Sequence, residues 1–152
     1  MIRILFVCLG NICRSPMAEY VFKDLAAKAG LADAFCVDSA ATSREEIGNG
    51  VHRGTRQKLA EAGVPCGDHR ARQLEKADYG RFDLIIGMER RNLIDMRRIL
   101  GGDPEGKLSL LLSFAGRDRD IADPWYTGNF DVTYDDVLEG CTALLEHCRK
   151  AL

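Results

Sequence analysis

Apolar residues recur along the chain in short continuous runs that alternate with stripes at helical spacing. Four runs rich in Val, Ile, Leu and Phe predict buried β-strands, at 2–7, 35–40, 82–88 and 107–112. Four stripes predict helices, from Ser15 to Gly30, over 51–63, over 89–100 and from Tyr134 to Cys148. Residues 113–131, rich in Gly, Asp and Pro, predict a long loop.

This alternation of strand and helix predicts a Rossmann-like α/β fold. We expect residues 1–152 to form a single-domain three-layer sandwich, with a four-stranded parallel sheet and helices on both faces. Ligands of such sheets bind beyond the carboxyl ends of the strands. The stretch "CLGNICRSP" at 8–16 follows the first strand and therefore lies at that edge.

The same stretch has the features of an anion-binding loop. Ser15 is predicted to cap the first helix with Pro16 at its first position, so unpaired N–H groups and the helix dipole attract negative charge. Gly10 and Asn11 tolerate a left-handed backbone. The planar guanidinium of Arg14 can hold two oxygens of a phosphate. The Gly-Lys-Ser/Thr of nucleotide-binding loops is absent, so we predict a different kind of phosphate-binding loop.

Cys8 makes this loop chemically reactive. A positive field that attracts phosphate also favours a thiolate over a thiol. A thiolate beneath a bound phosphoryl group is a nucleophile already in place. We therefore predict that Cys8 attacks phosphorus while Arg14 and the loop amides hold the equatorial oxygens.

The composition excludes several other classes of protein. A formal net charge of -2 gives no electrostatic footprint for nucleic acid. No apolar stretch approaches the roughly 18 residues of a membrane span, and the N-terminal apolar run is too short for a signal peptide. Six cysteines without a Cys-x-x-Cys motif predict neither a metal site nor a disulfide framework. We expect a reduced, cytoplasmic protein that needs no cofactor and binds neither nucleic acid nor membrane.

Four segments together resemble one family, the low-molecular-weight protein tyrosine phosphatases. They are Cys8-x5-Arg14-Ser15 after the first strand, "DSAATS" at 38–43, "HRARQL" at 69–74 and "DPWY" at 123–126. The resemblance extends over nearly the whole chain. It implies an enzyme that hydrolyses phosphotyrosine in proteins, and small aryl phosphates, through a cysteinyl-phosphate intermediate, with phosphate or other oxyanions as active-site ligands.

The resemblance also implies individual roles. Cys8 is the nucleophile, Arg14 the phosphate clamp, and Asp123 the general acid that becomes the general base. A phenol with a pKa of about 10 leaves slowly without a proton, which is the reason for an acid at this place. The remaining residues of the phosphate-binding loop are Leu9, Gly10, Asn11, Ile12, Cys13 and Ser15.

Other residues are expected to support the loop or to line the cleft. Ser15 should donate a hydrogen bond to the Cys8 thiolate, while the side chains of Asn11 and Ser39 hold the loop in shape. His69 is expected to join that network, and Glu89 to orient the active-site Arg or His. The predicted cleft walls are Ile12, Glu45, Trp125 and Tyr126. Glu45 stands where the family usually has an aromatic residue.

Three alternative functions can be compared with that of a tyrosine phosphatase. An arsenate reductase of this fold would need two further cysteines near the third strand, and none lies between 67 and 140. A protein-arginine phosphatase of this family would carry Thr in place of Ile12. A module that only binds phosphotyrosine would have lost Cys8 or Asp123.

Two further interpretations concern single residues. Cys13 either packs in the loop or resolves oxidised Cys8, and we favour the second interpretation. His52 is interpreted as a surface residue without a special role.

Overall fold

Four parallel strands form the centre of the structure, a computed structural model that describes residues 1–152. They are β1 (Ile2–Cys8), β2 (Phe35–Ala41), β3 (Leu84–Gly87) and β4 (Leu108–Leu110). Their order in the sheet is β2-β1-β3-β4, and every neighbouring pair is parallel. The predicted four-stranded parallel sheet is confirmed, with β1 in its interior.

Strand β1 is buried on both of its faces. Ile4, Phe6 and Cys8 belong to the larger hydrophobic core, whereas Leu5 and Val7 belong to a second core on the opposite face. A strand covered on both sides has apolar residues at consecutive positions rather than at alternate ones. This explains why its sequence is a continuous apolar run.

Helices cover both faces of the sheet, as predicted. They are α1 (Arg14–Lys28), α2 (Arg53–Glu61), α3 (Asp78–Arg81), α4 (Arg90–Leu100), α5 (Pro124–Thr127) and α6 (Phe130–Arg149). Helices α1 and α6 contribute to the larger core, and α4 contributes Met96 and Leu100 to the second core. None of these helices combines the length and the apolar character that a membrane span requires.

The boundaries differ from the predicted ones where burial has a cause other than a strand. Strand β4 ends at Leu110, and residues Leu111–Ala115 form a 3-10 helix whose Leu111 and Leu112 are buried. These two residues pack in the core that α6 shares, so their apolar run does not extend the strand. The predicted loop at 113–131 contains α5 and the first residues of α6.

The predicted carboxyl end of α1 agrees with the structure, and its predicted amino end does not. The prediction that Gly30 ends the helix is confirmed, because the helix stops at Lys28 and Gly30 has a φ of 72°. The prediction that Ser15 caps it is wrong. The helix begins at Arg14, so Ser15 lies inside its first turn and its hydroxyl bonds Cys8 instead.

Candidate active site

The loop from Cys8 to Ser15 lies at the carboxyl edge of the sheet and leads directly into α1. Backbone N–H groups that follow β2 fasten its first residues, since Thr42 donates to the carbonyl of Cys8 and Ser43 to that of Leu9, both at 3.0 Å. The N-terminus of α1 then directs its dipole and its unpaired N–H groups at the space above Cys8.

Asn11 holds the loop in its curled shape. It is the single non-glycine residue with positive φ, at 59°. Its Nδ2 donates to the hydroxyls of Ser15 at 2.8 Å and Ser39 at 3.0 Å. Its Oδ1 accepts from His69 Nε2 at 2.7 Å and from the backbone N–H of Arg72 at 3.2 Å. An asparagine side chain has two donors and two acceptor positions, and all four are used here.

The sulfur of Cys8 receives two donors from the loop. Sγ lies 3.0 Å from Ser15 Oγ and accepts from the backbone N–H of Asn11 at 3.2 Å. Because Ser15 Oγ already accepts from Asn11, its own hydrogen is free to point at the sulfur. Both contacts stabilise a negative charge on Cys8.

A second layer of polar side chains supports this network from below. Ser39 donates to Oε1 of the buried Glu19 at 2.7 Å, and Lys23 donates to its other oxygen at 2.7 Å. Nδ1 of His69 lies 3.6 Å from both Glu19 and Asp38. Glu19 was not among the residues predicted from the sequence. Its signal was a charged residue on the apolar face of α1, one turn after Ser15.

Glu19, Asp38 and His69 also form a group whose ligand atoms lie within 4.8 Å of one another, as a metal site would need. The carboxylate oxygens are already engaged, however. Ser39 donates to both residues, through its hydroxyl to Glu19 and through its backbone N–H to Asp38. The arrangement therefore fits a hydrogen-bonded support of the loop.

Arg14 lies at the base of the site with 1% of its side chain exposed. It donates to the carbonyl of Ile121 at 2.9 Å and lies 3.3 Å from carboxylate oxygens of Glu89 and Asp123. Burial opposes the charge of the guanidinium, but the negative charges of Cys8, Glu89 and Asp123 outweigh it and raise the pKa of Arg14. Glu89 was expected to orient either the active-site Arg or a His, and in the structure it contacts Arg14. The carbonyl of Ile121 had no signal in the sequence.

Asp123 joins Arg14 to the short helix α5. Its Oδ2 faces the guanidinium, while its Oδ1 accepts from the backbone N–H of Trp125 at 3.0 Å. Pro124 occupies the first position of α5, where it needs no hydrogen-bond partner. The Asp123 carboxylate therefore caps α5 and also pairs with Arg14.

A cleft opens above Cys8 and brings most of the predicted site residues together. Its lining consists of Cys8, Leu9, Gly10, Ile12, Cys13, Arg14, Glu45, Glu46, Asp123, Trp125 and Tyr126. All four predicted wall residues are among them, and Glu46 is an addition. Trp125 and Tyr126 are 58% and 77% exposed, so the walls are open to a large substrate.

Cys13 lines the same cleft but differs from Cys8 in its surroundings. It is 4% exposed and packs with Ile12 and Ala71. Burial, together with the negative charges of Cys8 and Asp123, raises the pKa of its thiol to about 12. At neutral pH Cys13 is therefore a protonated thiol.

The comparisons with known proteins agree on one family. Residues 3–152 match the model of the low molecular weight phosphotyrosine protein phosphatases. The chain belongs to this family. A Bacillus subtilis protein named low molecular weight protein-tyrosine-phosphatase YfkJ is 42% identical over 153 residues, which covers 99% of this chain and 97% of the relative. The human low molecular weight phosphotyrosine protein phosphatase is 39% identical over 148 residues, covering 94% and 93%.

Solved structures of the family superimpose closely on this chain. The crystal structure of YfkJ from Bacillus subtilis has a TM-score of 0.95 at 41% identity, covering 99% of this chain and 96% of that one. The crystal structure of DARP, a Drosophila arginine phosphatase, has a TM-score of 0.86 at 32% identity, covering 96% and 97%. The fold therefore carries phosphatases with different named substrates, and side chains in the cleft must decide between them.

The hydrogen bonds of Asn11 predict a loss of anion affinity in Asn11→Gly. Glycine keeps the left-handed backbone but removes the four side-chain hydrogen bonds and leaves the backbone N–H of Arg72 without its acceptor, at about 1–3 kcal/mol of folding stability. We expect weaker phosphate binding by calorimetry and a lower midpoint in urea. Asn49→Gly, at an exposed asparagine, is the control. Unchanged phosphate affinity in Asn11→Gly would show that the loop keeps its shape without this side chain.

Proposed function

We propose that this phosphatase hydrolyses phosphotyrosine in proteins, and small aryl phosphates, in two steps through a cysteinyl-phosphate. Residues 1–152 act as one catalytic domain that uses neither metal nor cofactor. The observation that carries the proposal is the meeting of Cys8, Arg14 and Asp123 in one cleft whose outer walls are Trp125 and Tyr126. Aromatic walls suit a phenyl ring, and the loop below suits its phosphate.

In the first step, the loop N–H groups and Arg14 hold the three equatorial oxygens of the phosphoryl group. The thiolate of Cys8 forms a bond to phosphorus as the bond to the tyrosine oxygen breaks. Asp123 transfers its proton to that oxygen, so tyrosine leaves as a neutral phenol rather than as a phenolate.

In the second step, Asp123 acts as a base. Its carboxylate takes a proton from a water molecule as the water oxygen attacks phosphorus. The bond to sulfur breaks, the Cys8 thiolate is restored, and inorganic phosphate leaves.

The contact between Arg14 and Asp123 supports an order for these events. In the free enzyme the two side chains are 3.3 Å apart. A bound phosphoryl dianion supplies Arg14 with a new anion, which releases Asp123 to approach the leaving oxygen. Asp123 therefore pairs with Arg14 before the substrate binds and donates a proton to the leaving oxygen afterwards.

Two peptides that differ only in the phosphorylated residue test this function. We expect turnover of a phosphotyrosine peptide, little turnover of its phosphoarginine counterpart because Ile12 favours a ring, and no reduction of arsenate. Cys8→Ser should abolish turnover and keep phosphate binding, since Arg14 and the loop remain. Steady hydrolysis by Cys8→Ser, or a preference for phosphoarginine, would overturn the proposal.

The general acid is tested with Asp123→Ala. We expect kcat to fall by about 10²–10⁴ with phenyl phosphate, the usual contribution of a positioned acid. The loss should shrink for leaving groups of low pKa, which depart without a proton. Asp33→Ala, which lies before the amino end of β2 and so at the opposite edge of the sheet, is the control. An equal loss across a series of aryl phosphates would remove Asp123 from this role.

Glu45 is expected to set substrate preference. It lines the cleft without an ion-pair partner, and an aromatic ring there would stack on the substrate. Glu45→Trp should raise kcat/KM for aryl phosphates by about 0.5–1.5 kcal/mol of transition-state stabilisation. The gain should be greater for peptides with acidic flanks. Glu45→Gln separates the two causes, because it removes the charge and adds no ring. Unchanged or lower kcat/KM in Glu45→Trp would place residue 45 outside the substrate's reach.

We also propose that the activity is redox-sensitive and that Cys13 resolves oxidised Cys8. Peroxide converts the Cys8 thiolate to a sulfenic acid, which condenses with the Cys13 thiol to form a disulfide and water. Burial and the charge of Cys8 both raise the pKa of Cys13, to about 12. The sulfenic acid is neutral, so oxidation of Cys8 removes the second of these causes and makes Cys13 easier to ionise.

Recovery after peroxide treatment tests this role. The wild type should regain activity with dithiothreitol, whereas Cys13→Ser should recover far less of its own starting activity, because its sulfenic acid is oxidised further. Cys36→Ser removes an exposed thiol as a control. Equal recovery of Cys13→Ser and the wild type would leave Cys13 a packing residue.

We propose a cytoplasmic location for this enzyme. The support is that all six cysteines are unpaired, which suits a reducing compartment.

A further inference from the structure

His52, interpreted above as a surface residue, is half-buried and fixed from two directions. Its backbone N–H donates to the carbonyl of Ile12 in the phosphate-binding loop at 2.8 Å. Its Nδ1 accepts from the backbone N–H of Gly54 at 2.9 Å and so caps α2. Because Nδ1 accepts, the proton of the neutral ring is on Nε2. The orientation of the imidazole is therefore set by α2 and not by the solvent.

The imidazole lies between two aromatic side chains. It stacks on Phe130 with ring centres 5.4 Å apart and 18° between the planes. It meets Trp125 edge-on, with centres 5.7 Å apart and 79° between the planes. Stacked and edge-to-face contacts are the favourable arrangements of such rings.

Phe130 gives this group of rings a firm base. It packs on the cluster formed by Ile12, Cys13 and Ala71. Its ring also lies on the bare backbone of Gly54, where a Cβ atom would come within 2.3 Å of Phe130 Cζ. Gly54, which weakens α2 as a helix former, is thus required for the ring to approach.

Helix α5 depends on the contact between Trp125 and His52, since it has four residues and is mostly exposed. So short a helix has little stability of its own. Two side-chain contacts fasten it on the cleft side, the pair of Asp123 with Arg14 and the contact of Trp125 with His52. A bound phosphoryl group competes for Arg14. The aromatic contact between Trp125 and His52 is not subject to this competition.

We propose that His52 is a positioning residue for this phosphatase. Its ring holds Trp125 as a wall of the cleft and, through the bond from the backbone N–H of Trp125 to Asp123 Oδ1, keeps the carboxylate directed at the leaving group. The inference rests on the roles proposed above for Trp125 and Asp123.

Trp125 is the single tryptophan of the chain, so its fluorescence tests the contact without any assay of activity. Two variants separate the functions of His52. His52→Asn keeps an acceptor for Gly54 and removes the ring, whereas His52→Phe keeps a ring and removes the acceptor. We expect lower fluorescence anisotropy in His52→Asn than in the wild type, and restored anisotropy in His52→Phe. Gly54→Ala, which displaces Phe130, should resemble His52→Asn.

Kinetics test the consequence for catalysis. In His52→Asn, kcat/KM for phenyl phosphate should fall about 2- to 12-fold, the range that one aromatic contact contributes. The loss should be smaller for an aryl phosphate whose leaving group has a low pKa, and His52→Phe should rescue it. Wild-type anisotropy in His52→Asn, or activity losses that follow the melting temperatures of both variants, would overturn the proposal. Absence of phosphotyrosine turnover in the wild type would instead count against the proposed function, and the fluorescence would still decide whether His52 holds Trp125.

Discussion

The buried charge of Arg14 is the constraint around which this site is assembled. A guanidinium with 1% of its side chain exposed is costly unless anions and carbonyl oxygens replace the lost water. Glu89 comes from the start of α4, Asp123 from the start of α5, and the Ile121 carbonyl from the segment before it. The start of α4 and the segment 121–123 are thereby held beside the loop that carries Arg14. Glu89, Asp123 and the Ile121 carbonyl meet because together they stabilise one buried cation.

The loop around that cation is rigid for a complementary reason. Asn11 uses every donor and acceptor of its side chain to join Ser15, Ser39, His69 and the backbone of Arg72. The loop amides are therefore already arranged before an anion arrives, and little reorganisation is needed during the reaction. The outer walls are the more open part of the site, since Trp125 and Tyr126 are largely exposed.

The sequence predicted those features whose cause is local. The sequence predicted the apolar run of β1 and the glycine that ends α1. It also predicted that one short loop carries both a thiol and a guanidinium. Two roles were predicted for Ser15. The cap of α1 is wrong because the helix already begins at Arg14, whereas the predicted contact with Cys8 is present at 3.0 Å. The predicted fourth strand included Leu111 and Leu112, because an apolar residue that packs against α6 cannot be distinguished in sequence from one in a buried strand. The roles of Glu19 and His52 depend on residues far away along the chain, Ser39 for Glu19 and Trp125 for His52, so the sequence near each of them did not predict these contacts.

The long sequence separation of the Arg14 contacts has a consequence for folding. The bonds that join Arg14 to Ile121 and Asp123 span 107 and 109 residues of the chain. Contacts of such long sequence separation form late and slow a folding reaction. The anion site therefore exists only in the fully assembled molecule, and an anion that binds there binds the native state alone. By mass action such a ligand favours folding. We therefore expect inorganic phosphate, the product of a phosphatase, to stabilise the native state of this protein as well.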